Sequence, residues 1–213
     1  MEAKKYRLTE THINIGEKIL YQIKALKDFG KVKAGDLGGY IESEENLSQD
    51  NDAWVSGNAR VSGAAQVSGD ARVSGAAQVS GDARVSGAAQ VSGNAWVYGD
   101  ARVSGAAQVS GNAWVYGDAR VSGAAQVSGD AEVKSREDYI VFKNWWSSAR
   151  YFTWTRSNNM WKVGCFFGTG KELIKEAYND SDISGREYER VVRYVESILA
   201  DEKRKENEPI GIK

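Results

Sequence analysis

The chain of 213 residues carries 28 basic and 29 acidic side chains, one His, one Cys and one Pro against 23 Gly, for a formal charge of −1. That length suits one or two domains with a real core, and near-neutrality argues against a dedicated nucleic-acid binder. A single thiol excludes an intrachain disulfide framework, and a single His excludes a His-rich metal site.

Residues 1–10, MEAKKYRLTE, lack the apolar core of a signal peptide, and no 18-residue apolar run occurs anywhere. A cytoplasmic protein without membrane contact is expected.

Position divides the chain into three. Residues 1–52 are charged. Within 18–26, KILYQIKAL reads as a strand with Tyr21, Ile23 and Ala25 on one face. Gly30, Gly35 and Gly38-Gly39 then mark a loop-rich stretch leading to Trp54. This segment is expected to be an N-terminal cap plus an irregular first coil.

Residues 53–134 form a repeat array. Gly recurs from 57 to 129 and Val from 55 to 133, both at an unbroken period of six, in the unit A-x-V-S/Y-G-x. Extended A-x-V places Ala and Val on one face and x on the other, and the Gly-Asx or Gly-Ala pair that follows supplies a turn. Strands this short bury their apolar face only when wound into a coil, each stacked on its equivalent in the next turn.

The pattern predicts a left-handed parallel β-helix, a hexapeptide-repeat solenoid with three hexads per turn. Residues 85–102 and 103–120 are the same 18-residue string, VSGAAQVSGNAWVYGDAR, which supports stacking at that period. About four turns at about 4.8 Å each would give a prism about 20 Å long. The near-identity of the copies also points to recent duplication or consensus construction.

Residues 135–213 read as a β-β-β-α-α capping or interaction domain. Strands are expected at 138–143, 149–155 and 160–167, with a hairpin turn at Arg156–Asn159. Thr169 with Glu172, and Ser184 with Glu187, are capping boxes for two helices. Tyr188, Val191, Val192, Val195, Ile198 and Leu199 make the second helix amphipathic, and the tail from about 204 is expected to fray.

KYRLTE at 4–9 and QIKALKDFGKVKAGDLGGYIESEENLSQDNDAWVSGNARV at 22–61 resemble a family of bacterial and prophage hexapeptide-repeat proteins. These belong to the trimeric LpxA-like superfamily and are often labelled acyltransferases on fold grounds alone. The resemblance implies a left-handed β-helix, a bacterial or prophage origin and a homo-oligomer, trimer or dimer. It brings no catalytic residues with it.

Four outward aromatics are the candidate ligand-binding residues. Trp96 and Trp114 are 18 apart, as are Tyr98 and Tyr116, so each pair should stack on one face. Such a ladder could bind a ring-bearing ligand or a partner, or pack against a terminal segment or a second subunit. Arg84, Arg102 and Arg120 should also stack, offset by the parallel file of Asp82, Asp100 and Asp118; a solvated face and an anion track are both open.

Other motifs read as structure. Gly168-Thr-Gly170-Lys171 lacks the remaining P-loop residues and is a helix start. Cys165 is expected to be buried and inert. The C-terminal aromatics should fill a core and cap the coil, with some left for a contact patch.

Transferases of the hexapeptide class use a His base, whereas here the coils contain none and His12 lies in the cap. No catalytic residue, metal or cofactor is therefore expected. The leading expectation is a non-enzymatic scaffold making protein contacts or self-assembling. The alternatives are a module binding a small ligand or host factor in counter-defence, and an acyltransferase.

Overall fold

The computed structural model describes residues 4–207. It opens with β1 (Tyr6–Ile15), β2 (Lys18–Ala25) and β3 (Leu37–Ile41). Fourteen two-residue strands follow, β4 to β17, running from Trp54–Val55 to Glu132–Val133. They stack in parallel at an 18-residue register, as in Trp96 on Trp114 and Val97 on Val115.

Three faces result. The first carries Arg60, Gln78, Trp96, Trp114 and Glu132 outward; the second carries Trp54, Arg72, Gln90, Gln108 and Gln126; the third carries Gln66, Arg84, Arg102 and Arg120. Nearly five turns are present, rather than about four. Every Val and Ala of the unit is buried, so the interior is two kinds of small apolar side chain in files along the axis.

Glycine makes the corners. Gly93 has φ +70°, and a Cβ there would lie 2.9 Å from the carbonyl oxygen of Gly111 in the next coil. Both the left-handed backbone and the close approach exclude a side chain.

The coil is polar along its axis. Outside the strand pairs, the amide of residue i donates to the carbonyl of residue i+17, as in Asn94 to Gly111 (2.8 Å), Trp96 to Ala113 (2.9 Å) and Tyr98 to Val115 (3.0 Å). The N-terminal end is therefore left with carbonyls and the C-terminal end with amides.

Each end is closed by the opposite chemistry. At the N-terminal end Tyr6 Oη donates to the carbonyls of Leu47 (2.7 Å) and Glu44 (3.0 Å). Lys5 is 1 % exposed, and its Nζ donates to the carbonyls of Ala53 (3.0 Å), Asp50 and Asn51 (3.2 Å each). Leu47 and Ala53 occupy the positions of Val67 and Ala71, which accept from Ser48 and Trp54 one coil earlier.

At the far end Thr153 Oγ1 accepts from the Gln126 amide (2.8 Å) and Ser157 Oγ from the Glu132 amide (2.7 Å). Asp138 Oδ2 accepts from the amides of Lys134 and Ser135 at 2.7 Å each.

The N-terminal segment holds a hairpin that the sequence reading missed. β1 pairs antiparallel with β2, and through β3 it extends the sheet of the first face to eight strands. The first coil is two residues longer than the rest: Tyr40 pairs with Arg60 and Leu47 with Val67. The extra residues fall between Leu47 and Trp54, where Asn51 adopts φ +53° and the loop's carbonyls turn toward Lys5.

The C-terminal unit has four strands where three were expected: β18 (Tyr139–Lys143), β19 (Tyr151–Thr155), β20 (Met160–Val163) and β21 (Phe166–Gly168). Gly164, at φ +55°, breaks the third stretch into a hairpin. This corrects the reading of Cys165, which sits in that turn and is exposed rather than buried.

Phe152, Trp154 and Trp161 face α1 (Gly170–Asp180) and α2 (Asp182–Asn207), packing with Leu173, Tyr188, Val192 and Val195. The opposite side of the sheet meets the coil: Tyr139 and Val141 pack on the coil core, and the Phe167 ring lies over Gly129. Thr169 and Glu172 form the expected capping box. α2 starts at Asp182 instead of Ser184, because the Ser181 hydroxyl accepts the Ser184 amide (3.1 Å). The helix also continues through 204 to Asn207, where fraying was expected; the rest of the expected frayed tail, 208–213, lies outside the described residues. No helix among the described residues is long and apolar enough to cross a membrane.

Two outcomes follow from the end chemistry. Thr153→Val keeps the shape but leaves the Gln126 amide unpaired, and should cost about 1–3 kcal/mol in a denaturant titration. Burial pushes the Lys5 ammonium from 10.5 down to about 8. The folded state thus binds fewer protons than the unfolded chain between those values, and its stability rises with pH there. Chemical denaturation from pH 7 to 10.5 should show the wild type gaining stability relative to Lys5→Met; parallel curves would contradict this.

Candidate functional site

The hexads are most alike where they are buried and differ where they face water. The x position is Arg, Gln, Trp or, at 132, Glu, and the position after Val is Ser in most copies. Four departures coincide on the first face and its adjoining corner: Trp96, Tyr98, Trp114 and Tyr116. Trp96 and Trp114 project from strands in direct register. Tyr98 and Tyr116, two residues further on, project to the same side where each strand ends.

The expected stacking is present. The Trp96 and Trp114 ring centroids are 5.4 Å apart at an interplanar angle of 10°. Tyr98 and Tyr116 stack at 5.2 Å and 5°, and Tyr98 meets Trp114 edge-on at 6.3 Å. The tryptophans remain 40 % and 41 % exposed, so no described terminal segment covers them.

This geometry narrows what the ledge can do. Stacked rings turn their faces to one another along the axis and present mainly edges outward. A ligand has only the outermost ring faces to stack on, whereas a protein surface can pack against the edges.

Polar ladders flank the rings. Asn94 Nδ2 donates to Asn112 Oδ1 (3.1 Å), and Asn112 Nδ2 donates to Asp130 Oδ1 (3.0 Å). Tyr116 Oη donates to Glu132 Oε2 at 3.5 Å. Loss of water around the phenol, and then the Glu132 charge, hold the Tyr116 pKa above its ordinary value. A cavity of about 290 Å³ opens beside this end, lined by Tyr116, Glu132, Lys134, Ser135, Asp138, Arg156 and Ser157.

Other candidates are dispersed. His12 lies in the β1–β2 hairpin, its Nδ1 2.9 Å from the carbonyl of Glu10 and its ring 6.0 Å from Tyr21. Among the described residues no group of three His, Cys, Asp or Glu side chains is arranged to hold a metal ion. A cavity of about 380 Å³ in the C-terminal unit is lined in part by Asn144, Arg150, Cys165, Glu176 and Tyr188. Trp145 is 77 % exposed at the β18–β19 connection, so part of the aromatic surplus faces water.

Sequence reasoning missed Lys5, Tyr6, Thr153 and Ser157 as the groups that close the coil. The signal was available in principle, since the direction of the ladder calls for donors at one end and acceptors at the other.

The ledge predicts a measurable coupling. Trp96→Gln and Trp114→Gln each install a residue found at the equivalent position of other hexads. A double-mutant cycle should give an interaction of about 0.5–1.5 kcal/mol; strict additivity would show that the stacked rings do not support one another.

The YdcK beta solenoid repeat matches the array in overlapping windows, at residues 53–67, 65–77, 77–93, 89–105, 95–111, 107–123 and 113–129. No curated protein matches the chain. The protein is thus a β-solenoid repeat protein, similar from 53 to 129 to the YdcK solenoids.

Proposed function

We propose that this protein is a non-enzymatic scaffold of bacterial or prophage origin, acting in the cytoplasm, which self-associates through its aromatic ledge. The hexapeptide spacing supports a left-handed coil as part of this reading. The observation that carries it is the exposure of Trp96 and Trp114, stacked on one another beside the stacked, half-buried pair Tyr98 and Tyr116.

Rings fixed in this way lose little conformational freedom on contact, and Trp and Tyr supply the largest contact energies at protein interfaces. Two identical straight prisms can meet face to face about a two-fold axis, each giving the same patch. Acyl transfer is disfavoured because the single imidazole lies on the N-terminal hairpin and not in the coil.

The test uses the array's own alternatives. Trp96→Gln, Tyr98→Ser, Trp114→Gln and Tyr116→Ser together convert the ledge to residues the other hexads carry. Sedimentation velocity should find an oligomer for the wild type and a monomer for the variant, with cooperative unfolding retained in both. A monomeric wild type, or an oligomer unaffected by the substitutions, would overturn the proposal.

A second reading rests on the free side of the ladder. The coil above Trp114 carries Glu132 in place of a third ring. A ring-bearing small ligand could stack on that outer face next to the 290 Å³ cavity. Trp114→Gln would then abolish binding while leaving the oligomer unchanged.

A further inference from the structure

The third face carries a file of like charges that the coil does not neutralise by contact. Arg84, Arg102 and Arg120 stand in direct register on neighbouring strands. Side chains so placed repel one another across the strand spacing of about 4.8 Å. The same file contains a neutral alternative at Gln66, so arginine is not required by the fold.

Asp82, Asp100 and Asp118 lie two residues before these arginines, yet none forms an ion pair with them among the described residues. The aspartates offset the charge from the corner without engaging the guanidinium groups.

The end cap brings a further guanidinium to the hollow, from a turn whose Glu137 and Asp138 lie outside its lining. Arg136 comes from the short 3-10 turn Arg136–Asp138 that follows the last coil, and it too makes no ion pair among the described residues. A cavity of about 460 Å³ is lined by Arg102, Arg120 and Arg136 with Ser104, Ser122 and Tyr139, and by no carboxylate. The Tyr139 hydroxyl donates to the Arg120 carbonyl (2.7 Å), tying the cap to the arginine strand. Two separate parts of the chain therefore bring guanidinium groups to one hollow.

We propose that this hollow on the third face is a binding site for an oligophosphate chain. Each guanidinium offers a fork of donors that matches phosphate oxygens, and the serine hydroxyls add donors of shorter reach. Three guanidinium groups around one hollow, with Arg84 next in the file, fit a ligand that carries several negative charges on successive compact groups. Carboxylates bring only one charge each. With a chain-wide charge of −1 the attraction is local, and the free arginine file extends it toward Arg84.

The site is on a different face from the aromatic ledge, so the two proposals fail independently. The probe is sodium tripolyphosphate, titrated calorimetrically at low salt into the full-length chain. Arg102→Gln/Arg120→Gln and Arg136→Gln test the site, and Arg60→Gln on the first face is the control. Thermal unfolding without ligand checks that each variant folds.

Saturable binding by the wild type and by Arg60→Gln, weakened about tenfold or more in the site variants, is expected. No binding at millimolar tripolyphosphate, equal binding by all variants, or citrate binding as tightly as tripolyphosphate would overturn the proposal. A nucleoside triphosphate in the same titration identifies the source. Tighter binding than tripolyphosphate supports the site as one for a nucleotide's phosphate chain; equal binding supports it as one for free oligophosphate.

Discussion

A parallel coil in which amides donate forward to the next turn has no symmetric ends. Its first turn offers carbonyls that nothing below can satisfy, and its last turn offers amides that nothing above can accept. Buried backbone groups left in that state cost more than most side-chain contacts return, so the termini must supply donors at one end and acceptors at the other. The ammonium of Lys5 and the phenol of Tyr6 meet the first need. The oxygens of Thr153, Ser157 and Asp138 meet the second. The flanking segments, with their concentration of charged and polar residues, follow from the polarity of the array between them.

The array itself is nearly indifferent to copy number. Each Val, Ala and Gly repeats the environment of its neighbours, so stability accrues coil by coil and no coil has a distinct interior in which to build a site. What is individual lies on the outside: Trp and Tyr stacked on one face, where they depart from the commoner residues, and unpaired Arg in file on another, where a sibling hexad carries Gln. In both places the neutral residue of a sibling hexad is a natural control.

The coil was legible in the sequence because period and geometry coincide: Val at every sixth residue fixes the strands, and identity at 18 fixes which strands stack. The ring pairs followed by arithmetic alone. Their orientation did not, since spacing places side chains on a face without saying whether ring faces point outward or at each other.

The N-terminal hairpin escaped because the register of β1 shifts between Leu8 and His12, which breaks the alternation a strand would otherwise display. Cys165 and the fourth strand were misread because a positive φ at Gly164 leaves no mark in the hydrophobic pattern. Lys5 was hidden for a different reason: a cationic side chain buried among carbonyls looks, in sequence, like any surface lysine.

Amide hydrogen exchange at the C-terminal end of the coil tests the account of the ends most directly. Gln126 and Glu132 have no coil above them, yet each donates to a side-chain hydroxyl oxygen of the cap. Capped in this way, these two amides should be protected to an extent comparable to Gln108 and Trp114, which donate to the next coil. Exchange of Gln126 and Glu132 at the rate of open loop amides, with Gln108 and Trp114 still protected, would contradict it.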